Sequence, residues 1–379
     1  MTSRFHPPTH AREARHSIVY RNDGEFAGWP FTSGFWVTAN DDYVLGIKKR
    51  KVNYRDPNDI THIETAKAGP QIVTVRSHDK GLSWGEQSDL FDMGADQGAL
   101  FAAGPRDYSG EPKLDFTDRN VLVASGSTPD FFCADGQAWI RVSVDGGYTW
   151  RPPIFAPKFG LPILSGHGST LVRPDGVSLI FLTAVSADGV KRRPVVYASV
   201  DGGAFWAFVS FMTPALDDGA ADGDRSVNFK FAAYRYFYPR GIMMPDGRIV
   251  ASVRCQRDPT GVLWTEVFDS DDGGRTWRFL SRVNDWGAPG DLACMADGRL
   301  ACVYGYRLPP YGVRARLSED GGRSWAREII IRDDGGSWDL GYPRVIERRA
   351  GELLTVYYMN RADDPIRVRH IAQTIFRPE

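Results

Sequence analysis

The stretch "SDDGGRTW", Ser270 to Trp277, decides the reading of the chain because it recurs. "SHDKGLSW" begins at Ser77, "SVDGGYTW" at Ser143, "SVDGGAFW" at Ser199 and "SEDGGRSW" at Ser318. The shared pattern is S-x-D-x-G-x-[ST]-W, and the Ser199 copy departs from it only at Phe205. Each residue type has a physical reason to be there. Aspartate and Ser/Thr side chains can hold a turn through local hydrogen bonds, without a strand partner. Glycine permits positive φ. Tryptophan buries a large area between strands, worth ~2–3 kcal/mol. The box therefore reads as a turn staple, in preference to a calcium or sugar site in every copy.

Around each box the same grammar returns. In "YPRGIMMPDGRIVASVRCQRDPTGVLWTEVFDSDDGGRTWRFL" an apolar strand leads to a "PDG" turn and a second strand, "RIVASVR". A loop, a third strand "LWTEVFDS", the box and a fourth strand "WRFL" follow. Four short strands with turn punctuation make one propeller blade, and the boxes recur at uneven intervals of roughly 50–70 residues, which blades tolerate and solenoids do not. "LVRPDGVSLIFLTAV", "LACMADGRLACVYGY" and "VIERRAGELLTVYYM" repeat the first hairpin. Five boxes close five blades. The segment after Trp325 supplies a sixth without a box, whose fourth strand is expected from "HSIVYR", His16 to Arg21. The expectation is an all-β chain: a short tail over 1–14, then one six-bladed propeller of four-stranded antiparallel blades over 15–379, its ring closed by the N-terminal strand so that no edge stays open. "DDGGSW", Asp333 to Trp338, nearly fits the box but lies too close to the last one to open another blade.

Composition narrows the partners. A formal net charge of −1 over 379 residues gives no bulk electrostatic case for nucleic acid or a membrane surface. No apolar run reaches membrane-spanning length, and the polar start "MTSRFHPPTHAREARH" has no leader-like core, so a cytoplasmic protein is expected. The cysteines Cys133, Cys255, Cys294 and Cys302 show neither C-x-x-C nor zinc spacing; Cys294 and Cys302 lie in apolar runs and are expected to be buried free thiols, and no metal and no cofactor are expected.

Five such boxes resemble the Asp-box (BNR) repeats of the sialidase superfamily, and the resemblance runs from about Tyr20 onward. It implies a six-bladed propeller with its active site at the blade end opposite the boxes. It further implies three arginines on the substrate carboxylate, an aspartate acid/base and a tyrosine nucleophile. Residue by residue, "DGRIVASVR" matches the strand ending in the second arginine, Arg254, and "YGYRLPPYGVRARLSEDGGRSW" offers Arg307 or Arg314 as the third. "GYPRVI" places Tyr342 as the nucleophile, and Asp56 or Asp59 lie nearest the acid by spacing. The F/Y-R-I-P signature is absent: "WPFTSGFWV" puts Phe31 where the first arginine belongs, and Tyr238 stands in place of the assisting glutamate.

The same face collects the remaining candidates. Catalytic roles fall to Tyr342, Asp56, His62 and His167, and substrate binding to Arg254, Arg307, Arg344, Arg240, Tyr238, Arg50 and Asp291. Arginine matches a carboxylate with a planar fork, and histidine exchanges protons near neutrality. Three readings follow for a carbohydrate partner: an exo-acting glycoside hydrolase on an acidic or polyhydroxy terminal sugar, a lyase on uronic-acid sugars using His62 or His167 as base, or a non-catalytic sugar-binding propeller. The sequence leaves the oligomeric state open.

Overall fold

The computed structural model describes residues 7–67, 69–103, 110–128, 136–189, 191–214, 235–256 and 262–378. Cys133 lies outside the described residues; Cys255, Cys294 and Cys302 are free thiols. The described residues form an all-β body of antiparallel sheets with three short helices, Pro30–Ser33, His62–Lys67 and Ala95–Ala103. No helix among them is long and apolar enough to cross a membrane.

The sheets follow the strand order expected around the boxes, with three strands in the second among the described residues and no box in the last. The first joins Glu25–Gly28 and Phe35–Val37 to Tyr43–Lys51, Gln71–Ser77 and Gly85–Phe91. The second joins Leu122–Thr128, Gln137–Ser143 and Ile154–Phe155. Two antiparallel groups, Ile163–Val172 through Ala207–Phe211 and Arg235–Met243 through Arg278–Arg282, meet at one parallel bridge between Arg192 and Arg235. A further group runs from Gly290–Cys294 to Ile329–Gly335, and the last from Gly341–Arg349 to His370–Arg377. Arg12–Tyr20 pairs antiparallel with His370–Arg377, so the two ends of the chain share a sheet. Pairing begins earlier than the expected tail allows, because Thr9–His10 adds in parallel to Ile329–Gly335. Residues 9–14 thus belong to the sheets, satisfying two edges at once.

Successive first strands lie against one another: Leu122–Thr128 on Ile163–Val172, then Arg235–Met243, Gly290–Cys294 and Gly341–Arg349 in turn. The helix Pro30–Ser33 touches Leu122–Thr128, Ile163–Val172 and Gly341–Arg349 together, which puts it at their common centre. Apolar clusters fill the spaces between neighbouring sheets, for example Phe181, Val196, Ala251, Val253 and Phe268 between the two middle groups.

The boxes act as staples. In the last copy Asp320 takes the Ser318 and Ser324 hydroxyls and the Arg323 and Ser324 amides, while the Gly322 amide donates to Ser318 Oγ. Burial opposes the charge on Asp79, Asp272 and Asp320, but these hydroxyl and amide bonds outweigh it and hold each carboxyl at about 2. The second glycine of the box sits at φ 93 in Gly274 and 95 in Gly322, where a Cβ would be strained. Three of the box tryptophans tie their sheet to the preceding one through Nε1: Trp277 donates to Ser210 Oγ and Trp325 to Ser281 Oγ. Trp84 Nε1 donates to Gln373 Oε1, giving the first sheet the same relation to the last. Trp150 and Trp206 are buried; the other three are half-buried.

Candidate active site

At the end of the sheets away from the boxes, four first strands break register at equivalent places. Tyr238 and Pro239 oppose the single residue Val253 across the hairpin, and Tyr342 and Pro343 oppose Tyr357. His167 lies in a wider bulge between Ser165 and Ser169. In the first sheet the break is larger, and Trp29 to Gly34 stand against Gly46 and Ile47. Bulges re-aim side chains. Trp29, Tyr238 and Tyr342 all take positive φ, 54, 56 and 50, a strained conformation for an aromatic residue. The strain turns their rings into one cluster. Tyr238 and Tyr342 have centroids 5.6 Å apart, Tyr342 and Tyr358 5.9 Å, and Phe31 and Tyr238 6.5 Å.

Two arginines approach the Tyr342 oxygen. Arg254, at the end of the second strand in its group, donates from Nη1 to Tyr342 Oη at 3.0 Å. The Arg307 guanidinium lies 5.2 Å from the Tyr342 ring centre and is anchored by a 3.1 Å bond from Nε to Leu340 O. Arg254 Nε and Arg307 Nη2 are buried without a hydrogen-bond partner. Burial pushes the Tyr342 phenol up, but Arg254, Arg307 and hydrogen bonds from Tyr238 and Arg254 bring it below its ordinary value. Tyr238 moves the other way: burial raises it, the charge of Tyr342 adds, and Arg254 and Arg192 only partly offset them.

Beside this pair stands a buried histidine–carboxylate couple. His62 Nδ1 donates to Asp339 Oδ1 at 2.5 Å, and its backbone N–H reaches Oδ2 at 3.1 Å. Tyr358 Oη and Arg369 Nε also donate to Asp339, at 2.7 and 3.1 Å. Asp339 is fully buried; burial disfavours its charge, yet His62 and Arg369 hold its carboxyl below the ordinary range. Burial lowers the His62 pKa, Asp339 opposes, and Arg307 and Arg254 lower it further. The His62 ring is 6.4 Å from Tyr342 and 5.2 Å from Trp338, which is 39% exposed at the rim. On the far side of Tyr238, buried His167 meets Lys48 Nζ at 3.0 Å and Ser165 Oγ at 2.8 Å. Among the described residues no group of three His, Cys, Asp or Glu could hold a metal ion.

The structure thus brings Tyr342, Tyr238, Arg254, Arg307 and His62 together, with His167 one ring away. It sets other candidates apart. Arg240 Nε and Arg344 Nε clamp the two oxygens of fully buried Asp291, at 2.8 and 3.2 Å, one layer below the tyrosines. Asp56 is exposed and caps its own turn through the Asn58 amide, while Arg50 is exposed at a strand end. Arg314 pairs with Glu328 instead of facing the tyrosines. Three neighbours of the site escaped sequence reading. Tyr358 reads as ordinary strand core in "ELLTVYYM", and Arg369 as an exposed charge. Arg192, 4.8 Å over the Phe237 ring, carries no motif at all.

No family model and no curated protein matches this chain. Solved structures do. A Dyadobacter fermentans protein of unknown function matches with a TM-score of 0.69 at 20% identity, covering 97% of this chain and 99% of the other. Trypanosoma rangeli sialidase matches at 0.59 and 12% identity, over 97% of this chain and 60% of its own. The α-L-arabinofuranosidase Arb93A of Fusarium graminearum matches at 0.58 and 12% identity, over 97% and 98%. The chain shares its overall fold with these proteins.

Proposed function

We propose that the chain is a six-bladed propeller and an exo-acting glycoside hydrolase that takes an anionic terminal sugar. Sequential packing of first strands and the Trp84–Gln373 link support the ring. The observation that carries the function is the pair Arg254 and Arg307. Neither forms an ion pair among the described residues, each has a buried N–H without a partner, and both face Tyr342. Buried, uncompensated guanidinium groups call for a carboxylate. The likeness in fold to a sialidase and an arabinofuranosidase supports a glycosidase, and the arginines favour the acidic substrate.

In this reading Tyr342 Oη attacks the anomeric carbon as the phenolate that Arg254 and Arg307 favour, and the glycosidic bond breaks. Protonated His62, held by Asp339, gives its proton to the leaving oxygen. Water then attacks the glycosyl-tyrosine carbon, His62 takes the water's proton, and Tyr342 is released. A tyrosine nucleophile avoids the repulsion that a carboxylate would feel from an anionic sugar. The test is turnover of aryl glycosides, sialyl, uronyl and arabinofuranosyl, by the wild type and Tyr342→Phe, with a fluorinated-sugar trap read by mass spectrometry. Label on Tyr342 supports the mechanism. Tight binding of acidic sugars with no turnover would make the chain a binding module.

One observation favours a second reading. A histidine whose pKa is lowered is neutral near pH 7 and suits a base better than an acid. On a uronate, His62 would remove the C5 proton and Tyr342 would protonate the leaving O4, giving an unsaturated product that absorbs in the near ultraviolet. Hydrolysis gives no such absorbance.

A further inference from the structure

Below the tyrosine cluster, on the same two strands, lies a separate polar cavity of about 60 Å³. It is lined by Ser33, Ser125, Ser169, Arg240 and Arg344, among others. Tyr238 and Arg240, like Tyr342 and Arg344, are two residues apart, so the cavity sits one step inward along each strand. The helix Pro30–Ser33 stands between the two levels, with Phe31 packed on Tyr238 and Ser33 facing the cavity. There is no room for a sugar.

The charges around this cavity do not balance. Arg240 and Arg344 share one carboxylate, Asp291, which is fully buried. Asp291 already accepts from both Nε atoms and from the Val345 amide. Arg240 Nη1 donates to Gly241 O and Arg344 Nη2 to Phe35 O. Arg240 Nη2 and Arg344 Nη1 make no hydrogen bond among the described residues, and neither is a sealed buried atom. The Ser125 and Ser169 hydroxyls donate to the Gly166 and Pro239 carbonyls. Two guanidinium groups against one carboxylate leave a net positive charge at a site whose side chains are 13%, 5% and 0% exposed. An uncompensated charge there is unfavourable unless a counter-ion enters.

We propose that the cavity beneath the tyrosine pair is a site for one small inorganic anion, bridging Arg240 and Arg344. It is distinct from the substrate site and holds a halide or an ion of similar size. Burial beside Arg240 lowers the Arg344 pKa to about 10, although Asp291 opposes, as a cation short of counter-charge should behave. The anion completes the axial polar layer on which the tyrosine bulges rest.

The probe is bromide. Crystals of the full chain soaked in sodium bromide, with diffraction recorded at the bromine edge, should show an anomalous peak within contact distance of Arg240 Nη2 and Arg344 Nη1. Bromide found only on the outer surface, or nowhere, overturns the proposal. In solution, millimolar bromide at constant ionic strength made up with gluconate should raise Tm along a saturating curve by a few degrees. A flat or linear response overturns it too. Asp291→Asn, where it folds, should lower the half-saturating bromide concentration several-fold, because it removes the competing charge. Both wild-type experiments decide the matter without that variant.

Discussion

Tyr238 and Tyr342 face each other across 5.6 Å, each the first residue of a Tyr-Pro-Arg bulge and each at positive φ. Their environments push the two phenols in opposite directions, Tyr238 up through burial and Tyr342 net down through Arg254 and Arg307. Groups pushed apart in this way commonly divide the roles of donor and acceptor. Tyr342→Phe should cut turnover by ~10³-fold or more while leaving affinity for an acidic ligand within about threefold. Tyr238→Phe removes a hydrogen bond donated to the Tyr342 oxygen. It should raise the Tyr342 pKa, read by ultraviolet difference titration, with a smaller loss of rate. Equal rate losses in both variants would place the nucleophile elsewhere.

Arg254 is expected to read charge. Arg254→Ala should weaken binding of an acidic sugar by ~1.5–3 kcal/mol, the scale of a charge-assisted bond, and weaken a neutral analogue much less. Calorimetry with a matched acid and amide pair checks this. A common loss on both ligands would mean that Arg254 serves only to orient Tyr342.

His62 sets the pH dependence. Its pKa lies below 6.5 in the free protein, chiefly through burial. If protonated His62 is the acid, kcat/KM falls as pH rises through that value, and the optimum is acidic. If neutral His62 is the base of an elimination, kcat/KM rises through the same value and levels off. Asp339→Asn removes the carboxylate that favours the imidazolium, so the limb should move to lower pH in either case. Stability has its own sign. Because both His62 and Asp339 are depressed in the folded state, their contribution is present above the unfolded pKa values and lost as pH falls through the folded ones. Acid unfolding of the wild type should therefore begin as pH drops below about 6.5.

How much of this was legible in the sequence differs between sheet and site. The boxes are local: Ser270, Asp272, Gly274 and Thr276 bond within one turn, so spacing alone carries their meaning. Tyr342, Arg254 and Arg307 could be placed at one end of their strands by the same grammar, and His62 in a loop at that end. Their partners could not. Asp339 meets His62 across 277 residues of chain, and Arg240 and Arg344 give the same strand-end signal as Arg254 yet turn into Asp291. What separates them is the bulge, which shifts an arginine one place inward, and a bulge leaves no mark in composition. Asp56 lies near a family acid by spacing, but spacing within a loop does not say which carboxylate points inward.

The first and third boxes each break a rule, and each break should cost stability. Lys80 occupies the position where later boxes carry glycine, and it sits at φ 58. A side chain in that left-handed region is strained by roughly 1–2 kcal/mol. Lys80 regains little, since its 3.4 Å bridge to Asp41 is half exposed and Asp41 keeps Arg119 at 3.0 Å. The Lys80 carbonyl, which accepts from Arg348, is unaffected by the side chain. Lys80→Gly should thus stabilise by about 0.5–1 kcal/mol, after the added freedom of glycine in the unfolded chain. In the third box Phe205 replaces the hydroxyl that elsewhere reaches the aspartate: Thr149, Thr276 and Ser324 do so at 2.5–2.6 Å. Phe205 keeps only its backbone bond to Asp201, at 3.1 Å, and leaves a ring that is 54% exposed against Phe159. Phe205→Thr should add about 0.5–1.5 kcal/mol, one hydrogen bond to a charged acceptor less the lost ring contact. The two sites lie in different sheets and share no partner, so the double variant should be additive within ~0.5 kcal/mol in urea unfolding. If Phe205→Thr instead lowers stability, the Phe159–Phe205 pair is what holds that turn, and the third box has replaced its hydroxyl staple with an aromatic one.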